Sequence, residues 1–378
     1  MSTNQIAVPS GHKLETFLLN SIIPIIFLVL SAGAIYLSGY SAPYVIQEMF
    51  TRLGRNLFLI LALLIPIMAG MGLNFGMVLG AMAGQIALIL VVDWAVVGLP
   101  GLMLTAIISI PIAIVSGILC GLVLNRAKGS EMVTSLILGF FAKGIYDLTV
   151  LYGMGSIIPI SSPDLVLSRG FGIRNAVSLI ETRGALDQMI MLNIKGIQIP
   201  LGTYLIIALF ALLIVWFRRT KLGQDMRAVS QSMTVAQAAG INVDRTRLIA
   251  IVISTVLAGF GQIIYLQNMG TLSTYNSQDQ AGMYAIAALL VGGASVTRAT
   301  LVNAVVGVLL FHILFFSAPM AGKAIAGKAE IGEYFRVFVA YGVIAAALVL
   351  HAWRRRRGEA LAARMASAQQ AQAEGGTA

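Results

Sequence analysis

Long apolar runs separated by short polar stretches make up most of the chain. A bilayer-spanning helix needs about twenty mostly apolar residues. Ten runs approach that length: Phe17–Leu37, Leu57–Gly72, Gly76–Val92, Met103–Leu124, Met132–Gly153, Leu201–Phe217, Leu248–Asn268, Tyr284–Ala294, Leu301–Ser317 and Phe335–Trp353. Leu57–Val92 and Tyr284–Ser317 each read as two short or broken helices joined at a glycine-rich turn. Interrupted helices are tolerated in a bilayer only where they are buried in protein or line a cavity, which marks both regions as candidate parts of a path. The pattern predicts an all-α, polytopic transmembrane bundle of about ten spans.

Composition agrees with the pattern. Of 378 residues, 58% are hydrophobic and 11% charged, against roughly a quarter charged in soluble domains. The net charge of +10 would suit nucleic acid if it lay on one soluble face. Here the basic residues sit at the edges of apolar runs, which implies membrane lipid and no nucleic-acid partner. An inside N-terminus places Asn125–Glu131, Arg218–Arg247, the turn at Arg298 and the run Arg354–Arg357 in the cytoplasm, and the C-terminus with them. Asp93–Leu102 falls outside and has no basic residue; Ala318–Tyr334 falls outside with Lys323 and Lys328 offset by Glu330 and Glu333. Arg52 and Arg55, close to Glu48, sit on the side the rule disfavours. The organisation expected is a cytoplasmic segment 1–16, a transmembrane domain 17–353, and a basic, then disordered, tail 354–378. Residues 154–200 form an external loop expected to fold over the outer mouth. The single cysteine, Cys120, has no intrachain partner for a disulfide.

Five features stand out within this frame. The polar stretch Arg218–Arg247 has Met226, Val229, Met233 and Ala236 at helical spacing, with Gly240 where a helix stops. Gly72, Gly76, Gly80 and Gly84 recur every four residues, so that on a helix they share one face and admit a close neighbour. A break at Asn74, turning freed backbone toward a solute path, is the alternative reading. Lys143 and Asp147 lie one helical turn apart in the middle of an apolar run, placed to pair or to line a path. His312 lies in another apolar run and reads as an interhelical hydrogen bonder. Gln85, Gln262, Gln267, Asn268 and Asn303 suit a neutral polar solute and equally suit helix–helix contacts. No G-x-x-x-x-G-K-[ST], H-E-x-x-H or G-x-S-x-G occurs, and no His, Cys and carboxylate cluster has metal-ligand spacing. The chain is therefore expected to hold no metal and not to be an enzyme.

The stretch Gly223–Arg247 resembles the cytoplasmic loop of the ABC importer permeases that serve ribose and other simple sugars, nucleosides and branched-chain amino acids. The match rests on Gly223, Arg227-Ala228-Val229 and Gly240-Ile241-Asn242-Val243. Leu290–Ala299 is similar to that family's Gly-Gly-x-Ser turn, through Gly292 and Gly293, and Thr134–Gly144 to one of its helices. Two positions depart from the pattern. Met233-Thr234-Val235 stands where Glu-Ala-Ala is common, and Thr297-Arg298 where Gly-Gly is expected.

The resemblance implies a short coupling helix ending at Gly240, with Arg227, Met233, Thr234, Ala236, Gly240 and Ile241 meeting a separate cytoplasmic ATPase that carries ATP and Mg. It also implies a periplasmic or lipid-anchored solute-binding protein and a second permease chain, as a homodimer or related heterodimer. The location implied is a bacterial or archaeal inner membrane. Asn74, Gln85, Lys143, Asp147, Gln262 and Asn268 are the path candidates. The competing reading is an ion-coupled secondary transporter using Lys143, Asp147 and His312.

Overall fold

The computed structural model describes residues 10–353 apart from 195, 340, 347, 348 and 350–352. Most of the expected N-terminal segment, the arginine run and the tail 354–378 lie outside the described residues. The elements in order are α1 (Ser10–Ser38), α2 (Ala42–Met68), α3 (Met77–Asp93), α4 (Gly98–Arg126) and α5 (Glu131–Leu148), the last prolonged by a π turn at Thr149–Gly153. Short strands β1 (Ala176–Ser178), β2 (Met191–Ile194) and β3 (Ile197–Pro200) follow, then α6 (Leu201–Phe217), α7 (Lys221–Gln231), α8 (Met233–Ala238) and α9 (Val243–Met269). β4 (Thr271–Ser273), a π turn at Gln280–Tyr284, α10 (Ala285–Val291) and α11 (Leu301–Ala326) come next, and residues 329–339 and 341–346 are helical.

α9 is the central helix, packed against α2, α3 and α4. Close contacts fix the directions of its neighbours. α2 runs antiparallel to it, with Ser254 donating to the Ala62 carbonyl at 2.8 Å and Arg55 to Asn268 at 3.3 Å. α3 runs parallel to it: a Cβ on Gly80 would lie 2.0 Å from the Thr255 carbonyl oxygen, and one on Gly84 2.8 Å from that of Gly259. α4 is antiparallel, meeting α9 through Gly117 at Val252 and Thr255 and through Gly121 at Leu248. α1 and α11 pack together on the flank of α2.

Prolines sit inside α1, α2, α4 and α11 without ending them. Pro66 in α2 and Pro319 in α11 cannot donate to the carbonyls of Ala62 and Phe315 four residues earlier. Neighbouring elements satisfy both: Ser254 donates to Ala62, and Arg336 donates to Phe315 at 3.2 Å. In lipid such freed groups must be paired within the protein.

The fold bears on the expected span count and corrects several expected boundaries. Five helices are long and apolar enough to cross a membrane: α2, α4, α5 with its π turn, α9 and α11; counting α6 and α7 as one helix bent by 70° makes six. α3 and the segment around α10 are shorter apolar helices, so length and composition alone do not reach ten. α2 begins fifteen residues before the expected Leu57, because its polar first half is held by partners. Gln47 exchanges hydrogen bonds with Gln198 at 2.6 and 2.9 Å, and Arg52 pairs with Glu48 at 2.8 Å. Arg52 and Arg55 are therefore helix residues of α2. The loop expected from Ala318 starts only at Gly327, because α11 continues through Pro319. Gly72 does not share a helix face with Gly80 and Gly84: it lies in the break between α2 and α3 at φ +71°, and Gly76 caps α3.

The described residues of 154–200 form no helix. They form the hairpin β2–β3, send β1 to pair with β4 beyond α9, and bury Leu165, Ile173, Val177 and Leu186.

Candidate functional site

The residues singled out by sequence gather at two ends of the bundle. At one end, α6 gives way at a sharp bend to α7, and Thr220 caps α7 by accepting from the Gly223 amide at 3.3 Å. The helical spacing from Met226 to Ala236 does not make one helix. Ser232 adopts an extended conformation (φ −158°, ψ 115°) between α7 and α8, and its hydroxyl accepts from the Val235 amide. Gly240 follows α8 at φ +83°, where a side chain would be strained, and Asn242 then caps α9 through the Arg245 amide. Val229, Ala236 and Val243 form a small separate core, closed by Met233 and Ile241.

That core sorts the six coupling candidates. Met233, Ala236 and Ile241 face inward and hold α8 in place, whereas Thr234 and Gly240 are exposed. Val235, 67% exposed, is the large apolar residue α8 presents outward. The alternation of inward Met233 and Ala236 carried that signal in the sequence. Arg227 is not part of this face: it lines a cavity with Arg218 and Arg298.

A second feature escaped the sequence reading. Arg247, seemingly one more loop cation, is fully buried and pairs with Glu131 at 2.7 Å. It also donates to Asn125 Oδ1 at 3.1 Å, the Leu124 carbonyl at 3.4 Å and the Met233 sulfur at 3.3 Å. One guanidinium thus ties α8 and α9 to the α4–α5 connection. Lys128 pairs with Asp244 at 2.5 Å across the same junction.

At the other end, Lys143 and Asp147 do pair, at 2.9 Å, and Lys143 also donates to the Tyr275 carbonyl at 2.7 Å. Tyr146 donates to the Thr274 carbonyl, Gln278 to the Tyr275 carbonyl and Gln262 to the Ser277 carbonyl. The segment 274–279 therefore collects Lys143, Asp147 and Gln262. Asp279 joins them, and sequence alone gave it no role. Burial holds its carboxyl above the usual range, Lys143 opposes the shift and Asp147 adds to it.

Asn268 lies apart. Its amide donates to Asp187 at 2.6 Å, and Asp187 also accepts from Thr203. Asn74 turns the α2–α3 break by accepting from the Gly76 amide at 2.9 Å, and the neighbouring Phe75 amide donates to Ser135 of α5 at 3.1 Å. Gln85 is buried on α3 with neither amide atom paired among the described residues, and Gln262 Oε1 and Asn74 Nδ2 share that state. His312 packs on Phe311 and Phe315 and makes no hydrogen bond with Lys143 or Asp147.

At the α10 end, Gly292 and Gly293 form the expected turn. A Cβ on Gly292 would lie 1.9 Å from the Asn303 carbonyl oxygen, and Gly293 sits at φ +83°. Ser295 and Arg298 close the following turn through both their backbones.

Comparison with known proteins agrees with this architecture. Residues 25–348 match the family described as branched-chain amino acid transport system / permease component. The chain belongs to that family. Among relatives, the nucleoside ABC transporter permease NupB of Lactococcus lactis is 24% identical over 336 residues, covering 85% of this chain and 84% of that protein. The fructose import permease FruG of Bifidobacterium longum is 23% identical over 304 residues, covering 78% and 82%. The galactofuranose transporter permease YtfT of Escherichia coli is 27% identical over 247 residues, covering 64% and 62%. No solved structure matches the chain. The protein is thus a permease subunit of an ABC importer, multi-pass in the bacterial inner membrane, and not itself an enzyme.

Proposed function

We propose that this permease subunit works in an ATP-driven, binding-protein-dependent importer of a small polar solute. Simple sugars and nucleosides lead as the solute class, in keeping with the transport named for the relatives, and branched-chain amino acids follow. The observation that carries the reading is the isolated short helix α8. It is held by its own small core and by Arg247, and it offers Thr234 and Val235 outward. A rigid knob of this kind suits a groove on a partner that moves. The chain has no phosphate-binding loop of its own, so ATP and Mg belong on a separate cytoplasmic ATPase, and this chain holds no cofactor.

In this reading the helices alternate through the bilayer in ten passes with both termini cytoplasmic, α3 and the α10 segment being the shortened ones. The solute-binding protein docks on the side of 154–200. A second permease chain covers the outer face of α5, where Ile137, Phe140 and Phe141 are exposed. Gln85, Gln262, Asn74 and the Lys143–Asp147 pair border the path, since Gln85, Gln262, Asn74 and Asp147 each keep a buried polar atom with no partner among the described residues. Unsatisfied buried polar groups cost about 1–3 kcal/mol each, which favours a role for them.

Uptake of labelled sugars and nucleosides into vesicles bearing the full complex tests the proposal. Uptake is expected to follow ATP and the binding protein and to survive a protonophore. Loss of uptake with the protonophore while ATP is still hydrolysed points instead to ion coupling through Lys143 and Asp147, and refutes the reading.

A further inference from the structure

The end of the bundle that carries α7 contains a cavity of about 690 Å³ that coupling does not explain. Its walls are of two kinds. Leu64, Ile67 and Met68 from the last turns of α2, with Ile214 and Val215 of α6, form an aliphatic side. Arg218, Arg227 and Arg298, together with neutral hydroxyl and amide side chains such as Ser230 and Gln231, form the other. These arginines come from three separate places: the end of α6, the middle of α7, and the turn before α11. None of the three guanidinium groups is paired with a carboxylate among the described residues, although Arg52, Arg247 and Arg336 all are.

Three unpaired cations facing one cavity repel each other and call for an anion. The aliphatic wall restricts which anion. The cavity sits where α6 ends, and the same helix exposes Leu212, Leu213 and Trp216. An indole near the end of an apolar helix, with arginines just beyond it, is the pattern of a membrane–water boundary. Basic pockets between membrane helices at that level hold anionic lipid headgroups. A free phosphate would use the arginines and leave the aliphatic wall unused.

We propose that this cavity is a binding site for the headgroup of an anionic phospholipid of the surrounding bilayer, its acyl chains running along the exposed face of α6. The assignment does not depend on which solute the importer carries. It gives Arg227 a partner other than the ATPase, since its side chain lines this cavity and α8 lies beyond Ser232.

The test uses the full chain purified with its partner subunits, with phosphatidylglycerol or phosphatidylcholine titrated and bound lipid counted by native mass spectrometry. Wild type is expected to retain phosphatidylglycerol in preference to phosphatidylcholine. Each of Arg218→Gln, Arg227→Gln and Arg298→Gln is expected to weaken that retention about fivefold, the effect of one basic residue near a headgroup. Lys328→Gln, a change at an exposed cation outside the cavity, is expected to leave it unaltered and so controls for net charge. Equal retention of the two lipids, or full retention by all three single variants, overturns the proposal. Displacement of phosphatidylglycerol by millimolar inorganic phosphate also overturns it, because the cavity is then a soluble-anion site.

Discussion

The pair Arg247–Glu131 allows the sharpest test of how the end of the bundle that carries α8 is built. The Arg247 side chain is 0% exposed and that of Glu131 12%. Breaking a buried ion pair by removing one partner typically costs about 3–5 kcal/mol, because a charge is left buried without compensation. The two partners are not equivalent here. Arg247→Met strands Glu131, which keeps some water and still accepts from the Gly129 amide at 2.9 Å. The expected cost is near the low end, about 3 kcal/mol. Glu131→Leu strands a fully buried guanidinium whose remaining acceptors are the neutral Asn125, Leu124 carbonyl and Met233 sulfur. The expected cost is near the high end, about 5 kcal/mol.

The double variant removes both charges and leaves apolar groups of similar volume. Its cost is expected to be at most about 2 kcal/mol, so the two singles are coupled by several kcal/mol. Equilibrium unfolding of the purified chain in mixed micelles measures all three. Additive costs in the double variant, or Arg247→Met costing more than Glu131→Leu, refute the reasoning.

Two further outcomes follow from the packing. Gly80→Ala places a Cβ 2.0 Å from a backbone oxygen of α9, whereas a Cβ at Gly240 meets nothing within 4 Å and only the φ of +83° opposes it. Gly80→Ala is therefore expected to cost about 1–3 kcal/mol as overpacking and Gly240→Ala about 1–2 kcal/mol as backbone strain, with Gly240→Asn milder; unfolding midpoints check the order. Val235→Asp, on the outward face of α8, is expected to leave the unfolding midpoint within about 0.5 kcal/mol of wild type while abolishing ATP-driven uptake; normal uptake removes α8 as the point of coupling.

The apolar runs made most of the bundle legible from sequence. α4 and α9 appear close to where their hydropathy placed them, and the break between α2 and α3 falls in the glycine-rich stretch that suggested it. What sequence missed has one physical cause: polarity that is satisfied at a distance looks like a loop. The first half of α2 reads as polar because Gln47 bonds Gln198 and Arg55 bonds Asn268, partners more than a hundred residues away. Arg247 reads as a surface cation because Glu131 is equally remote. The glycine repeat misled for the opposite reason. Its period holds over four residues in each step, yet Gly70 and Gly72 take positive φ and end the helix before Gly80 begins to pack.

The same bookkeeping separates the polar residues of the membrane region by role. Ser254, Arg336 and Asn303 spend their donors on the carbonyls of Ala62, Phe315 and Gly292, so they repair backbone that proline or a helix end leaves open. Ser135 repairs the break in the opposite sense, its hydroxyl accepting from the Phe75 amide. Replacing any of these is a structural injury. Gln85 repairs nothing, and Gln262 and Asn74 each use only part of their amide. A bundle that closes its backbone breaks with serine and arginine has no structural use for a fully buried, unpaired glutamine on its central layer. In the importer proposed above, that unpaired amide is the group assigned to meet the hydroxyls of a passing solute, and Gln85→Leu is expected to lower uptake while leaving the unfolding midpoint unchanged or raised.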